Sequence, residues 1–124
     1  MKRNWDTIRE ILICLEEMPP EKDCLQLTDF LSDRVYEYSY HVEILIEAGL
    51  IDGQMCKRTG PKDFRAMRMT WGGHEFLDAI RSDTVWRKAK DLFVKGGLSM
   101  TFDLVKSVAK DIAVGYLKST VGCP

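Results

Sequence analysis

The side chains of this 124-residue chain best suited to metal binding or acid–base catalysis are its two histidines. His41 lies next to Val42 on the apolar side of a predicted helix, and His74 follows a pair of glycines. Either imidazole could be a ligand or a general base, but neither has a partner at the spacing of a known catalytic or metal-binding motif. We therefore interpret both as packed, hydrogen-bonded histidines, and predict no enzyme activity, no metal site and no cofactor.

The cysteines are spread along the chain, and no pair has the C-x-x-C spacing that brings two thiolates onto one metal ion. The longest apolar run, residues 11–15, is far shorter than the ~20 residues that cross a bilayer, and no secretory core follows the N-terminus. A cytoplasmic protein without membrane association is expected, and a reducing cytoplasm favours free thiols over disulfides. The four residues concerned are Cys14, Cys24, Cys56 and Cys123.

Positive charge is concentrated in residues 54–71, where five Lys or Arg stand against one acid, Asp63. The segment has two interpretations of equal weight: phosphate contacts with a nucleic acid, or the solvated surface of a hairpin. Its cationic residues are Lys57, Arg58, Lys62, Arg65 and Arg68.

Negative charge dominates the preceding segment, residues 35–53, which has four acids and no Lys or Arg. Three of them, Glu37, Glu43 and Glu47, lie in one predicted helix. Carboxylates near DNA phosphates oppose the counterion release that supplies most of the binding free energy. The acidic helix is therefore the main argument against a DNA-binding function.

The first half of the chain predicts three helices and a short strand. Apolar residues at helical spacing predict a helix from Trp5 to Met18, capped by Asn4 or Asp6 and ended by two prolines. Residues 24–27 alternate as a short strand does, and Thr28 could cap a brief second helix ending near Arg34. A third helix, with an apolar face from Tyr38 to Ala48, ends at Gly49.

The second half predicts a two-stranded hairpin followed by three helices. The second strand of the hairpin covers residues 64–70, with Ala66, Met67 and Met69 alternating with two arginines. Thr70 caps the fourth helix, Ser82 or Asp83 starts the fifth, and a glycine pair at 96–97 ends it. The last helix covers residues 101–119. The fold class expected is mainly α with a small β-hairpin.

Three helices followed by a hairpin is the element order of a winged helix-turn-helix, in which the third helix enters the DNA major groove and the hairpin flanks it. Residues 39–51 (SYHVEILIEAGLI) resemble the recognition helix of bacterial winged-helix regulators, and residues 69–77 (MTWGGHEFL) resemble the end of their wing. Together with residues 1–9, 83–89 and 98–103, these strings resemble an uncharacterised bacterial and prophage-associated family of unknown function. The resemblance implies a winged helix and a phage or mobile-element context. The stretch from residue 27 to residue 36 is longer here than the compact turn usual in that family.

The function predicted first is binding of double-stranded DNA as a transcriptional regulator. The residues expected to contact DNA are Tyr38, Ser39, Tyr40, Lys57, Arg58, Lys62, Arg65 and Arg68. The alternative is a protein-interaction module that docks on a host or phage protein, acting as an inhibitor through its acidic third helix. Its contact residues would be Tyr36, Glu37, Tyr40, Glu43 and Glu47.

A winged-helix domain is expected over residues 1–80, with residues 81–124 as a helical extension. The last helix carries an apolar stripe long enough to need a partner, which predicts a homodimer. The residues assigned to this contact are Trp86, Phe102, Val105, Val108, Ile112 and Tyr116. The tryptophans Trp5, Trp71 and Trp86 could stack on bases, but their apolar neighbours favour packing in a core or between domains.

Overall fold

The computed structural model describes residues 1–30, 33–56 and 60–121, with side chains as far as residue 119. These residues form five α-helices and one antiparallel hairpin, which confirms a mainly helical fold with a small hairpin. The chain divides into two compact units, residues 1–75 and 76–124, and the division falls inside the third α-helix. The elements are α1 (Trp5–Glu16), α2 (Val35–Glu47), β1 (Ile51–Met55), β2 (Phe64–Met69), α3 (Trp71–Ile80), α4 (Asp83–Gly96) and α5 (Phe102–Val121).

Helix α1 begins at an asparagine cap and supplies much of the core of the first unit. The side-chain oxygen of Asn4 accepts hydrogen bonds from the backbone N–H groups of Asp6 (3.0 Å) and Thr7 (3.3 Å), which the first turn of a helix otherwise leaves unpaired. The buried face of α1 packs on α2 and on β2. The helix ends at Glu16, two residues before the predicted end.

The segment between α1 and α2 contains one strand-like residue and one short helical turn. Leu25 forms an isolated antiparallel bridge with Ala66 of β2, with two backbone hydrogen bonds of 2.9 Å. In the described residues of the predicted second helix, Thr28 to Arg34, the structure has a 3₁₀ turn, Leu27–Phe30, and no helix at residues 33–34; residues 31–32 lie outside the described part. The start of the turn is held by two side chains, because the Asp29 carboxylate accepts from the Gln26 N–H and the Asp63 carboxylate accepts from the Leu27 N–H.

The hairpin contains a bulge that changes which side chains of β2 face outward. Asp52 pairs with Arg68, but the next residue, Gly53, pairs with Ala66, so Met67 has no partner across the ladder. A Cβ atom at Gly53 would collide with the carbonyl oxygen of Arg65, which explains the glycine. The alternation predicted for β2 therefore fails at Met67, which is exposed, whereas Ala66 and Met69 are buried.

The start of α3 is fastened to the turn that follows α2. Thr70 donates its hydroxyl hydrogen to the Gly49 carbonyl (2.5 Å), and its backbone N–H donates to the Leu50 carbonyl (3.0 Å). The same hydroxyl oxygen accepts from the Gly73 N–H, which confirms Thr70 as the cap of α3. A Cβ atom at Gly73 would collide with the Leu50 carbonyl oxygen, so this close approach requires glycine.

The second unit pairs α4 with α5. Ser82 caps α4, and Gly97, with a φ of 65°, ends it in the left-handed conformation, as the glycine pair predicts. Phe76 meets Phe102 edge to face, with ring centroids 5.0 Å apart. None of the helices in the described part of the chain combines the length and apolar content needed to span a bilayer.

Candidate interaction surface on α2 and the hairpin

The first turn of α2 is held to α1 by a polar cluster centred on Arg34 and Glu37. The Arg34 guanidinium donates to one Glu37 oxygen at 2.7 Å and to the Thr7 hydroxyl at 2.8 Å. Thr7 donates to the other Glu37 oxygen (2.7 Å), and the Asn4 side-chain amide does so at 3.1 Å. These bonds, first from Arg34 and then from Thr7, lower the pKa of Glu37 to about 2. Glu37 is therefore committed to the α1–α2 contact.

Tyr38 is buried in the same contact. Its hydroxyl donates to Glu10 of α1 at 2.8 Å and accepts from Arg34 at 3.1 Å, and the guanidinium also lies 4.8 Å from the ring centroid. Burial, followed by the bond to Glu10, raises the pKa of Tyr38 to about 12. Bonding to Glu37 raises the pKa of Arg34. The Arg34 guanidinium therefore keeps its positive charge, and the Tyr38 phenol stays neutral.

His41 is fully buried, and both of its ring nitrogens are hydrogen-bonded. Nε2 accepts from the Asn4 backbone N–H, and Nδ1 bonds the Glu37 carbonyl oxygen, each at 2.7 Å. The packed interpretation is confirmed for His41. It is wrong for His74, which lies exposed on α3. The described residues contain no cluster of three or more His, Cys, Asp or Glu that could hold a metal ion.

Two residues predicted to contact DNA bases have side chains that do not reach the surface. Tyr38 and Ser39 are both buried, and the Ser39 hydroxyl donates to the Lys62 carbonyl at 2.7 Å. The assignment of these two side chains to a base edge is therefore corrected. They lie on the inward side of α2, where the Tyr38 hydroxyl bonds Glu10 of α1 and the Ser39 hydroxyl bonds the loop of the hairpin.

The outward side of α2 is lined by Tyr36, Tyr40, Glu43 and Glu47, which we call the α2 ridge. Their spacing of four, three and four residues places them on one helical face. Tyr36 is 58% exposed and Glu47 is exposed, whereas Tyr40 and Glu43 are half-buried. The α2 ridge therefore contains four of the five residues predicted for protein docking. Glu37 lies instead in the polar cluster.

Lys62, a predicted DNA contact, lies beside the α2 ridge and is already paired. Its ammonium group donates to Glu43 at 3.0 Å, with both side chains partly exposed. Arg68, on β2, forms an ion pair of 3.3 Å with Asp52 on β1. A phosphate at either position would have to compete with a carboxylate.

Arg65 is the hairpin cation most open to a ligand. It is exposed on β2, and no ion pair joins it to another residue in the described parts of the chain. Two further predicted DNA contacts, Lys57 and Arg58, lie outside the described residues. The structure therefore brings Arg65 and Arg68 onto the outer side of β2, with only Arg65 unpaired there.

Trp71 was expected to pack in a core or between domains, and its packing in a core is wrong. The first residue of α3, it is 79% exposed, whereas Trp5 and Trp86 are buried as predicted. The sequence contained one signal of this exposure. Trp71 precedes a glycine pair and occupies the first turn of a short helix, where few neighbouring side chains can cover an indole.

The residues assigned to dimerisation are divided by the packing of α4 on α5. Trp86 and Val105 are buried within the chain, Phe102, Val108 and Ile112 are half-buried, and Tyr116 is 40% exposed. The ammonium group of Lys88 lies 4.4 Å from the Tyr116 ring centroid. These apolar residues therefore contribute to the packing of α4 on α5 within one chain. The homodimer stays a prediction.

Three cysteines lie in the described residues, and all three are free: Cys14, Cys24 and Cys56. Burial on α1, together with the nearby carboxylates of Glu10 and Glu17, raises the pKa of Cys14, which keeps it a thiol. Cys123 lies outside the described residues.

Comparison with known proteins identifies relatives over nearly the whole chain. Residues 2–99 match a family described as "Hypothetical protein (DUF2513)". The chain is also 38% identical over 112 residues to a protein of Haemophilus influenzae described as uncharacterized, an alignment that covers 90% of this chain and 95% of the relative. No solved structure matches.

Proposed function

The chain belongs to the DUF2513 family, and we propose that it is a protein-interaction module built on a winged helix, docking through the α2 ridge onto a basic surface of another protein. The alternative is double-stranded DNA binding through the hairpin. A role in transcription regulation and an origin in a phage or mobile element stay predictions.

The order of elements in residues 1–75 supports the winged-helix part of this proposal. Helix α1, a strand-like contact at Leu25, a short helical turn, α2 and the hairpin follow one another as they do in winged helix-turn-helix domains. In that fold α2 corresponds to the recognition helix, and the hairpin to the wing. The proposal therefore concerns the surface that a winged helix normally presents to its ligand.

The observation that carries the docking proposal is the charge of α2. Within Val35–Glu47 the helix has three glutamates and no Lys or Arg. Among the described residues, Glu37 is neutralised by Arg34 and Glu43 is paired with Lys62, which leaves Glu47 as the exposed, unpaired charge at one end of the α2 ridge. Within the part of the chain that the structure describes, a DNA backbone brought to this face would meet carboxylate and no free cation.

The composition of the α2 ridge favours a protein as the ligand. Tyr36 and Tyr40 provide flat, amphipathic surface, and tyrosine is one of the residue types in which interface binding energy is concentrated. The exposed carboxylate of Glu47 adds complementarity to Lys or Arg on a partner, whereas a partner cation at Glu43 would have to displace Lys62. A basic protein surface is therefore the ligand chemistry that fits the α2 ridge.

The test compares a labelled lysine- and arginine-rich peptide with a labelled DNA duplex by fluorescence anisotropy at low salt. We expect the wild-type chain to bind the peptide more tightly than the duplex. Replacing Glu43 and Glu47 with Lys should weaken peptide binding about tenfold and strengthen duplex binding, because four units of charge change on one face. The Asp103→Lys/Asp111→Lys variant makes the same charge change on α5 and serves as the control. Equal peptide affinity in both double variants would contradict the proposal.

DNA binding through the hairpin is the second candidate, and the exposed, unpaired Arg65 favours it. Phosphate contacts fix the position of a protein on DNA without reading its sequence. If Arg65 makes such a contact, Arg65→Glu should weaken binding to all duplexes alike and reduce the salt dependence by about one unit of slope. Arg87→Glu, at an exposed position of α4, is the matched control. An unchanged slope in Arg65→Glu would exclude this contact.

A further inference from the structure

Trp71 differs from the other two tryptophans in its lack of a cation over the ring within the described part of the chain. The Arg3 guanidinium lies 5.3 Å from the Trp5 ring centroid, and the Lys90 ammonium lies 5.4 Å from the Trp86 ring centroid. No such contact occurs at Trp71 among the residues that the structure describes, and its indole is 79% exposed. The chain thus leaves one tryptophan face open to a cation from outside.

The backbone that carries Trp71 is firmly held. The preceding residue, Thr70, is hydrogen-bonded to Gly49 and Leu50 through its hydroxyl and its backbone N–H, and Gly73 packs directly on the Leu50 carbonyl. An exposed aromatic ring on a fixed backbone loses less conformational entropy on binding than one on a mobile loop. Trp71 therefore has the setting of a contact residue.

The backbone places two acidic residues near Trp71. Glu75 lies one helical turn after Trp71, four residues on and on the same face of α3. Glu47, at the end of the α2 ridge, lies two residues before Gly49, to which Thr70 is bonded. The nearest cation along the chain, Arg68, is paired with Asp52 and also donates to the Met69 carbonyl. The residues placed near Trp71 are thus acidic, and the arginine nearest to it along the chain is already paired.

We propose that Trp71 and Glu75 form a receptor site for an arginine or lysine side chain of a protein partner. The cation would lie over the indole ring while its N–H groups donate to the Glu75 carboxylate, the arrangement in which a cation–π contact and a charge-assisted hydrogen bond act together. This inference rests on the proposed function, because it extends the α2 ridge past Glu47 and supplies the anchor residue for the basic partner.

The first test needs no ligand. Caesium and iodide quench tryptophan fluorescence by collision, and the contribution of Trp71 is the difference between the wild-type chain and Trp71→Phe. We expect caesium to quench this contribution about twofold more effectively, relative to iodide, than it quenches free N-acetyltryptophanamide, because a negative potential attracts the cation and repels the anion. A ratio equal to that of the free compound would overturn the proposal.

The second test uses the lysine- and arginine-rich peptide described above. Trp71→Ala should weaken its binding about fivefold. Glu75→Gln, which keeps the size of the side chain, should weaken it about threefold. Val94→Ala, at an apolar position that is 80% exposed on α4, should bind as the wild type does. Circular dichroism of each variant establishes that it is folded.

Peptide binding by the different variants distinguishes failure of the receptor site from failure of docking through the α2 ridge. Loss of peptide binding in Glu43→Lys/Glu47→Lys, with wild-type affinity in Trp71→Ala and Glu75→Gln, would overturn the receptor site and leave the α2 ridge as the docking surface. Loss of binding in the Trp71 and Glu75 variants alone would support the receptor site and overturn docking through the α2 ridge.

Discussion

The backbone N–H of Asn4 donates a hydrogen bond of 2.7 Å to Nε2 of His41, 37 residues further along the chain. The other ring nitrogen, Nδ1, bonds the Glu37 carbonyl oxygen at the same distance. A backbone N–H can only donate and a carbonyl oxygen can only accept, so the imidazole is neutral with its hydrogen on Nδ1. One buried ring thus joins the cap of α1 to the middle of α2.

Replacing His41 with Ala should destabilise the protein by about 2–4 kcal/mol, because the change leaves a cavity and a buried N–H without its acceptor. The free energy of unfolding from urea titration measures the effect. The exposed His74 provides the control, and His74→Ala should stay within about 0.5 kcal/mol of the wild type. A similarly small change for His41→Ala would show that the ring does not hold α1 to α2.

The low pKa of Glu37 predicts a loss of stability in acid. Its pKa is about 2 in the folded protein, against an ordinary value of 4.5, so its stabilising effect is complete above pH 4.5 and is lost as the pH falls towards 2. The difference in unfolding free energy between the wild type and Glu37→Gln should therefore shrink over this interval. A difference that stays constant from neutral pH to pH 2 would contradict the charged interaction with Arg34.

Tyr38 predicts the corresponding effect in base. Its pKa is raised from 10 to about 12, so the neutral phenol favours the folded state below pH 10, and this contribution is lost as the pH rises towards 12. The ultraviolet absorbance of tyrosinate, compared between the wild type and Tyr38→Phe, follows the group directly. If the tyrosine that Tyr38→Phe removes ionises near pH 10 in the wild type, both the burial of the Tyr38 hydroxyl and its bond to Glu10 are contradicted.

The close packing at Gly73 predicts opposite effects for two glycine-to-alanine changes in helices. Gly73→Ala should lower stability by about 1–3 kcal/mol, because its Cβ atom would push against the Leu50 carbonyl. Gly115→Ala on α5 has nothing within 4 Å of the added atom and should raise stability by about 0.5–1 kcal/mol through helix propensity. Thermal unfolding followed by circular dichroism compares the two. Equal effects would contradict the contact at Gly73.

Much of the secondary structure could be predicted from sequence because its signals are local. Asn4, Thr70 and Ser82 are short polar side chains placed directly before apolar periodic runs, and each caps the helix expected there. The glycine at 97 ends α4 for an equally local reason, its left-handed φ. The turn at Leu27–Phe30 was less predictable, because one of the two side chains that hold its start, Asp63, is distant in sequence.

The candidate site was predictable only in part. The spacing of Tyr36, Tyr40, Glu43 and Glu47 placed four predicted docking residues on one outward face, because helical periodicity is a property of the sequence. The same periodicity placed Tyr38 on the apolar face, whereas the burial of Ser39 depends on where the hairpin lies against α2, which no local pattern contains.

The sequence by itself determined the helices, the hairpin and the acidic character of α2, since these follow from composition, caps and periodicity within a few residues of each other. Tertiary structure decided which charges remain free. Arg34, Lys62 and Arg68 look alike in the sequence, yet each is paired through folding with a carboxylate, while Arg65 has no ion pair within the described residues. Tertiary structure also decided that Trp71 is left uncovered, because whether an indole is buried depends on the surfaces that the whole chain brings to it.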